Sequence, residues 1–312
     1  MRAIRHTMGP RSSSAAPLGA RCLVGCVAEN NATYRWQAAR LVRALRWFGG
    51  SMAAARVRVC VVDAVEPGAR AELESLGAEV RIVPRFLARN PFANKLQLFL
   101  EPDWADAELV LLCDCDTVIL RDPRPFLRGD VFQAKIADLP TVTDAVFARV
   151  FRHFGVPLPA TEFVTDFRPT ATIPYFNSGV VVLPRAVGQR VVPAWREVNA
   201  HLVEHLDLLG PCASHVNQAS LTVALALLRE PMVALDRALN FPVHLLHETP
   251  PPEFAACDPV IVHYHDQVDA EGRLREPPYP AAAARIRVFN DRLSGMDAPA
   301  SRSGTSSPAA RS

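Results

Sequence analysis

The chain has 312 residues and a mass of 34.1 kDa, enough for one large α/β domain or two ordinary ones. Hydrophobic residues make up 49% and charged residues 21%, which excludes a wholly disordered chain. Thirty-four Lys and Arg against 32 Asp and Glu leave a net charge of +2, too little to favour a nucleic-acid binder, and no apolar run is long enough to span a membrane.

Residues 1–20 carry Arg2, Arg5, Arg11 and a Ser-rich patch without an apolar h-region, so they read as a disordered lead and not a secretion signal. Residues 21–28 form an apolar run suited to a buried strand. Over 33–48, Leu41, Leu45 and Phe48 recur on one face and Arg43 and Arg46 lie on another. Gly49-Gly50 then ends this amphipathic helix. Residues 57–62 read as a second strand. Residues 67–76 read as a short helix opened by Pro67 and closed by Gly77, and 79–83 as a third strand. A short helix over 94–100 and a fourth strand over 108–113 follow. This β-α-β-α-β-α-β order predicts a Rossmann-like α/β fold, with a mostly parallel sheet, helices on both faces and ligands at the carboxyl ends of the strands. No GxGxxG follows the first strand and no GxxxxGK[ST] occurs, so the usual dinucleotide and P-loop signals are missing.

Farther on, 131–137 and 176–183 read as strands, 190–208 and 215–228 as helices, and 260–263 as a last strand. Proline around 250–252 and 277–280 predicts loops closing over the sheet. The tail, 293–312, is rich in Ser, Ala and Pro and reads as disordered, leaving 21–292 as a single domain. The seven cysteines form no C-x-x-C pair and mostly sit in apolar runs, which predicts reduced thiols in a cytoplasmic protein.

The informative stretch is the end of the fourth strand, Asp114-Cys-Asp116-Thr-Val. On a strand, positions i and i+2 point to the same side, so the two carboxylates would converge and Cys115 would point away. Adjacent carboxylates that both stay ionised usually hold a cation, and oxygen ligands suit Mg²⁺ or Mn²⁺ bridging to substrate phosphates. With 17 aspartates in the chain, about one such pair is expected by chance, so its place at a strand end carries the signal. The same five residues fit the D-x-D-x-[TV] nucleophile motif of haloacid-dehalogenase-like phosphatases. That motif normally sits near a domain start and has a late acidic pair, which this chain lacks. His201-Leu-Val-Glu204-His205 fits an inverted zinc-peptidase motif, but on a helix with a full apolar stripe it reads as an ordinary flank.

Asn94-Lys95-Leu96, Asp114-Cys-Asp116, Phe176-Asn177-Ser178-Gly179, Asn217-Gln218 and Val260-Ile-Val-His263 occur in that order. The set resembles the GT-A-fold glycosyltransferases related to glycogenin and the bacterial lipopolysaccharide galactosyltransferases, from about residue 21 to 265. The resemblance implies a nucleotide-diphosphate-sugar donor, usually a UDP-sugar, and bound Mn²⁺ or Mg²⁺. It implies metal ligation by Asp114, Asp116 and His263, with Asp114 also near the ribose. It implies Lys95 at the donor phosphate or sugar, Asn177 at the donor sugar and acceptor, and Gln218 beneath the anomeric carbon. Asp138 would be a further sugar contact, and Tyr34 would stack on the uracil. Gly179 would admit substrate close to the backbone. A carboxylate-plus-imidazole shell suits Mn²⁺ better than Mg²⁺.

The resemblance alone favours retention of configuration. The acceptor, whether a glycan, a lipid-linked saccharide, a protein or a small molecule, stays open, as does peripheral attachment to a membrane. The chain departs from the family at Asn217, where Asp is usual. This leaves room for a member that binds nucleotide-sugar without transferring it. Residues 139–175 look like an acceptor-binding insertion or a surface loop.

Overall fold

The computed structural model describes residues 21–88 and 90–297. The expected disordered lead, 1–20, and residues 298–312 of the expected tail lie outside the described residues. The first half alternates strongly: β1 (Cys22–Ala28), α1 (Ala32–Phe48), β2 (Arg56–Val62), α2 (Pro67–Ser75), β3 (Ala78–Val83) and β4 (Leu109–Cys113). A 3₁₀ segment, Pro91–Phe99, precedes β4. Next come β5 (Thr117–Ile119), β6 (Phe132–Ile136), α3 (Asp144–His153), β7 (Phe163–Val164), β8 (Ala171–Thr172) and β9 (Phe176–Pro184). The chain continues with α4 (Arg185–Glu204), α5 (Val216–Leu228), β10 (Met232–Ala234) and β11 (Phe241–Pro242). It ends with α6 (Pro252–Ala255), β12 (Ile261–His263) and α7 (Pro280–Asp297).

The main sheet has seven strands in the order β10-β6-β9-β4-β1-β2-β3. β9 runs antiparallel to both neighbours and the other pairs are parallel, so the mostly parallel expectation holds. The central strands β1 and β4 read as unbroken apolar runs because both faces are covered, whereas β2, β3 and β6 carry charged or polar residues. Along β4, Val110 and Leu112 join the core with α4 and α5, while Leu109 and Leu111 join the core with α1.

A second sheet, β11-β12-β5, grows from the carboxyl end of β4. Beneath it a third core gathers Phe241, Phe254, Tyr264, Tyr279, Ile286 and Phe289. Part of that core comes from α7. The proline-rich stretch expected to be a closing loop instead starts this helix: Pro280 stands at its first position, where a missing N–H costs nothing. The helix covers 293–297, which the sequence places in the tail. Residues 139–175 are likewise not a surface loop. Thr143 caps α3, whose Phe147 and Phe151 are buried with Tyr175, and β7 pairs with β8.

None of the described cysteines is in a disulfide, and most are buried. No described helix is long and apolar enough to cross a membrane.

Candidate functional site

The two aspartates do not sit on a strand. β4 ends at Cys113, and residues 114–116 form a turn in which the Thr117 N–H and hydroxyl both bond to the Asp114 carbonyl, at 3.2 and 2.8 Å. The chain must turn here because it leaves the main sheet for the small one. The turn, and not strand alternation, therefore sets where the two carboxylates lie: Asp114 on Lys95 and Asp116 on His263. Cys115 does point away: it is buried, with its thiol on the Val27 carbonyl at 3.2 Å.

The small sheet delivers the histidine. In the antiparallel β5–β12 ladder His263 stands opposite Thr117, and the Tyr264 N–H donates to the Asp116 carbonyl at 2.9 Å. His263 Nε2 thereby lies 3.2 Å from Asp116 Oδ1, and His265 Nδ1 lies 3.5 Å from Asp116 Oδ2. His263 is 3% exposed, and its Nδ1 faces Asn240 Oδ1 at 3.1 Å. That contact makes Nδ1 a proton donor and turns Nε2 toward Asp116. Nε2 has no hydrogen bond among the described residues despite its burial, because its approach to the carboxylate is not aligned as one.

Burial opposes the charge on Asp116, but His263, then His265, hold its carboxyl well below the usual range. Burial likewise pulls His263 down, and the Asp116 carboxylate overrides it, so the net shift is upward. His265 is lowered by burial and by His263, and His244, beside it, is lowered to about 4 by burial and both imidazoles.

Gly179 explains itself here. A Cβ on it would stand 2.5 Å from His263 Cε1 and 2.7 Å from Nδ1. The space expected to admit substrate is filled by the imidazole. Asn177 lies just before it: its Oδ1 accepts the Gly179 N–H at 2.8 Å, and its Nδ2 donates to Asp138 Oδ2 at 2.8 Å. Asp138 also pairs with buried Lys135, which reaches Asp166 at 3.2 Å, and Arg237 closes the chain on Asp166 at 2.8 Å.

Lys95 lies directly on the acidic turn. Its ammonium stands 2.7 and 2.9 Å from the two Asp114 oxygens and donates to the Ser178 carbonyl and hydroxyl at 2.8 and 3.0 Å. Tyr34, in the first turn of α1, packs against the core that holds Cys115, and its phenol is pushed up to about 12 by burial and by Cys115, Asp116 and Asp114.

Asn217 and Gln218 diverge. Asn217 is buried, donates to the Phe92 carbonyl and accepts from Asn199 Nδ2 at 2.7 Å. An aspartate there would have no proton for Phe92, so the departure from the family pattern has a structural use: it ties α5 to the segment carrying Lys95. Gln218 is half-buried in the first turn of α5, and its side chain bonds to none of these residues.

A further cluster at the carboxyl ends of β1 to β3 has no counterpart in the sequence reading. Arg85 binds Glu29 at 2.8 and 3.1 Å and Asp63 at 3.1 Å, and Asn94 Nδ2 donates to Glu29 at 2.6 Å. Each of these charges follows its strand by one or two residues, and that offset was the available signal. Asn240 and His244 offered none.

His201 and His205 do share a flank of α4, but they stack at 4.3 Å, and His201 Nε2 faces His153 Nε2 at 2.7 Å. Among the described residues, only Asp116, His263 and His265 present three metal-ligand atoms within 4.8 Å of one another. A cavity of about 480 Å³ lined by Pro157, Leu158, Leu225 and Met232 contains none of the site residues.

A family model described as the Rhodobacterales glycosyltransferase domain matches residues 24–228. No curated protein matches the sequence. Among solved structures, the galactosyltransferase LgtC in complex with donor and acceptor sugar analogs is similar with a TM-score of 0.53 and 15% identity, covering 87% of this chain and 95% of that one. An active-site glutamine-to-glutamate mutant of LgtC gives a TM-score of 0.52 at 15% identity, with the same coverage of 87% and 95%. Mouse xyloside xylosyltransferase 1 in its apo form gives a TM-score of 0.45 at 17% identity, covering 78% of this chain and 96% of that one. The LgtC likeness shows the GT-A fold. The chain belongs to the Rhodobacterales glycosyltransferase domain family and is a nucleotide-sugar glycosyltransferase.

Proposed function

From this membership we propose that the chain transfers a sugar from a UDP-sugar, with a divalent cation (Mn²⁺ in preference to Mg²⁺) and retention of configuration. The acceptor is a glycan, a lipid-linked saccharide or a protein. The observation that supports the cation is the convergence of Asp116, His263 and His265, whose ligand atoms lie within 4.8 Å of one another. A buried imidazole nitrogen beside a carboxylate, with its other nitrogen bonded to Asn240, is the donor set a metal requires. Asp116 and His263 would hold the cation, with Asp114 adjoining. When bound, it would supply Lewis-acid neutralisation of the diphosphate leaving group.

The chain's own groups do the positioning. Lys95 adds a fixed positive charge at the same spot. Asn177 is locked at both ends by Gly179 and Asp138, so its orientation at the donor sugar is set before substrate arrives. The Gln218 side chain is uncommitted at the start of a 13-residue helix, which suits the role beneath the anomeric carbon, and LgtC has an active-site glutamine. Tyr34 offers a ring for the uracil. Asn217 acts from behind, as an anchor. Retention rests on the family resemblance, and we place the protein in the cytoplasm on its reduced, mostly buried cysteines.

The test is a panel of UDP-sugars with Mn²⁺ and with chelator, scored by UDP release and by the anomeric configuration of the product. Release that survives chelation, or occurs only with another nucleotide, contradicts the reading. UDP binding without any release would instead favour a member that binds donor and does not transfer.

A further inference from the structure

We propose that His153 and His201 chelate a late first-row divalent ion, such as Zn²⁺ or Ni²⁺, between α3 and α4, with His205 supporting the pair. The inference does not depend on the donor-site reading above.

The three imidazoles come together from two helices. His153 ends α3, His201 lies in the last turn of α4, and His205 caps that helix. The Nε2 atoms of His153 and His201 stand 2.7 Å apart, and neither hydrogen-bonds to any other described residue. Two imidazole nitrogens on one ion, with bonds of about 2.0–2.1 Å at roughly 90–110°, would stand about 2.9–3.4 Å apart. The pair has only to open slightly to admit the ion. Without one, either Nε2 must lend its proton to the other. With the protons on the outer Nδ1 atoms, two lone pairs face one gap.

His205 plays a different part. Its ring stacks on His201 with centroids 4.3 Å apart and planes 16° apart, and its Nδ1 donates to the His201 carbonyl at 2.9 Å. The carbonyl fixes the His205 tautomer, and the stack fixes the His201 ring. Phe154 braces the pair edge-on, 5.5 Å from His153 and 5.1 Å from His201 between centroids. The two ligand rings are thus held before an ion arrives, and water completes the shell.

The local field favours a cation. Both helices end here, and their last carbonyls carry partial negative charge. The Glu204 carboxylate acts in the same sense, while exposed Arg152, beside His153, opposes it. Burial, then His205 and His153, hold His201 below its ordinary value, so it is neutral and able to ligate at pH 7.

Imidazole ligands suit Zn²⁺, Ni²⁺ and Cu²⁺, whereas Mg²⁺ and Mn²⁺ prefer oxygen. This site therefore takes a different ion from the one proposed at Asp116. It joins residues 48 positions apart and clamps α3 to α4. The H-x-x-E-H spacing thus serves packing between helices, with His153 as the second ligand and no peptidase chemistry.

The experiment titrates Ni²⁺, Zn²⁺ and Mn²⁺ into the full chain by calorimetry and records melting temperature with and without Ni²⁺. The wild type should bind one more Ni²⁺ or Zn²⁺ than His153→Ala does, and Ni²⁺ should raise its melting temperature more. His201→Ala should lose the same ion, an affinity loss above the ~10-fold that even an outer-shell partner is worth. His205→Ala should weaken binding by less than either. Mn²⁺ binding should be equal in wild type and His153→Ala, and Asp116→Asn should keep the Ni²⁺ that His153→Ala loses.

Equal Ni²⁺ stoichiometry and affinity in wild type and His153→Ala would overturn the inference, as would a wild type that binds neither Ni²⁺ nor Zn²⁺. Loss of Mn²⁺ alongside Ni²⁺ in His153→Ala would overturn the metal choice. His153 stands exposed at a helix end, so its variant decides the matter if His201→Ala fails to fold. Loss of this Ni²⁺ in Asp116→Asn but not in His153→Ala would assign the ion to the donor site and overturn the inference alone.

Discussion

Two charge constellations lie at opposite ends of the main sheet, one at the amino ends of β2 and β3 and one past the carboxyl end of β4, and they differ in how completely their partners answer them. At the amino end of β2, Arg58 is 1% exposed. It reaches Asp103 at 2.6 and 2.8 Å and Glu79 at 3.1 Å, and Arg56 adds a 2.9 Å bond to Glu79. At the carboxyl end, Asp116 faces two imidazoles, and the buried nitrogen of one has no hydrogen bond. A buried charge with every donor used is part of the scaffold. At Asp116 the three ligand atoms within 4.8 Å of one another suit a cation instead.

The comparison breaks most readily at Asp116. Asp116→Asn should lower transfer by about 10²–10³-fold or more and remove cation-dependent nucleotide binding, with little change in melting temperature. Unfolding of that variant would mean the pair is scaffold after all.

Arg58→Met should do the reverse: a loss of ~3 kcal/mol in chemical denaturation, at the low end for a broken buried pair because both carboxylates are about a third exposed. Turnover per folded molecule should be unchanged. The pH dependence sharpens this. Arg58 holds the Asp103 carboxyl below its ordinary value, and Arg56, then Arg58, do the same for Glu79. A depressed carboxyl adds stability above its unfolded pKa and loses it as pH falls through the folded value. The deficit of Arg58→Met should therefore be full at pH 7 and shrink below about pH 4. A constant deficit would make it a packing effect.

Gly179→Ala puts a methyl against the His263 ring. Roughly 1–3 kcal/mol of overpacking is expected, together with a cation affinity lowered by ~10-fold as His263 is displaced from Asp116. Wild-type cation affinity in this variant would show that His263 need not sit where it does.

The smallest effect is expected at Asn217→Asp. It removes the proton donated to the Phe92 carbonyl and should cost about 1–2 kcal/mol in a urea melt. A large rise in turnover would instead make position 217 a substrate contact.

How far the molecule was legible follows from the same physics. Strands β1 and β4 and the Val-rich end of β9 were readable because burial on both faces leaves apolar runs, and β2 and β3 because their β-branched residues stand between turn signals. The antiparallel direction of β9 was not, since strand direction leaves no mark in composition. α3 and α7 were missed because a short Phe/Val pattern lay within a region taken as loop and because Pro280 and a run of alanines masked a helix start.

In the site, Asp114, Asp116, Lys95 and His263 stood out by motif, and the structure brings these four together. Asn177 and Asp138 adjoin them through Gly179. The turn geometry, the partner role of Asn240 and the convergence of His265 depend on the β5–β12 ladder, which joins residues far apart in the chain. No local pattern encodes such a pairing.

The most direct test of the central claim is calorimetric titration of UDP into the purified protein, with Mn²⁺ and then with chelator. The account predicts binding with Mn²⁺ that chelation abolishes. Equal binding under both conditions, or none under either, would contradict it.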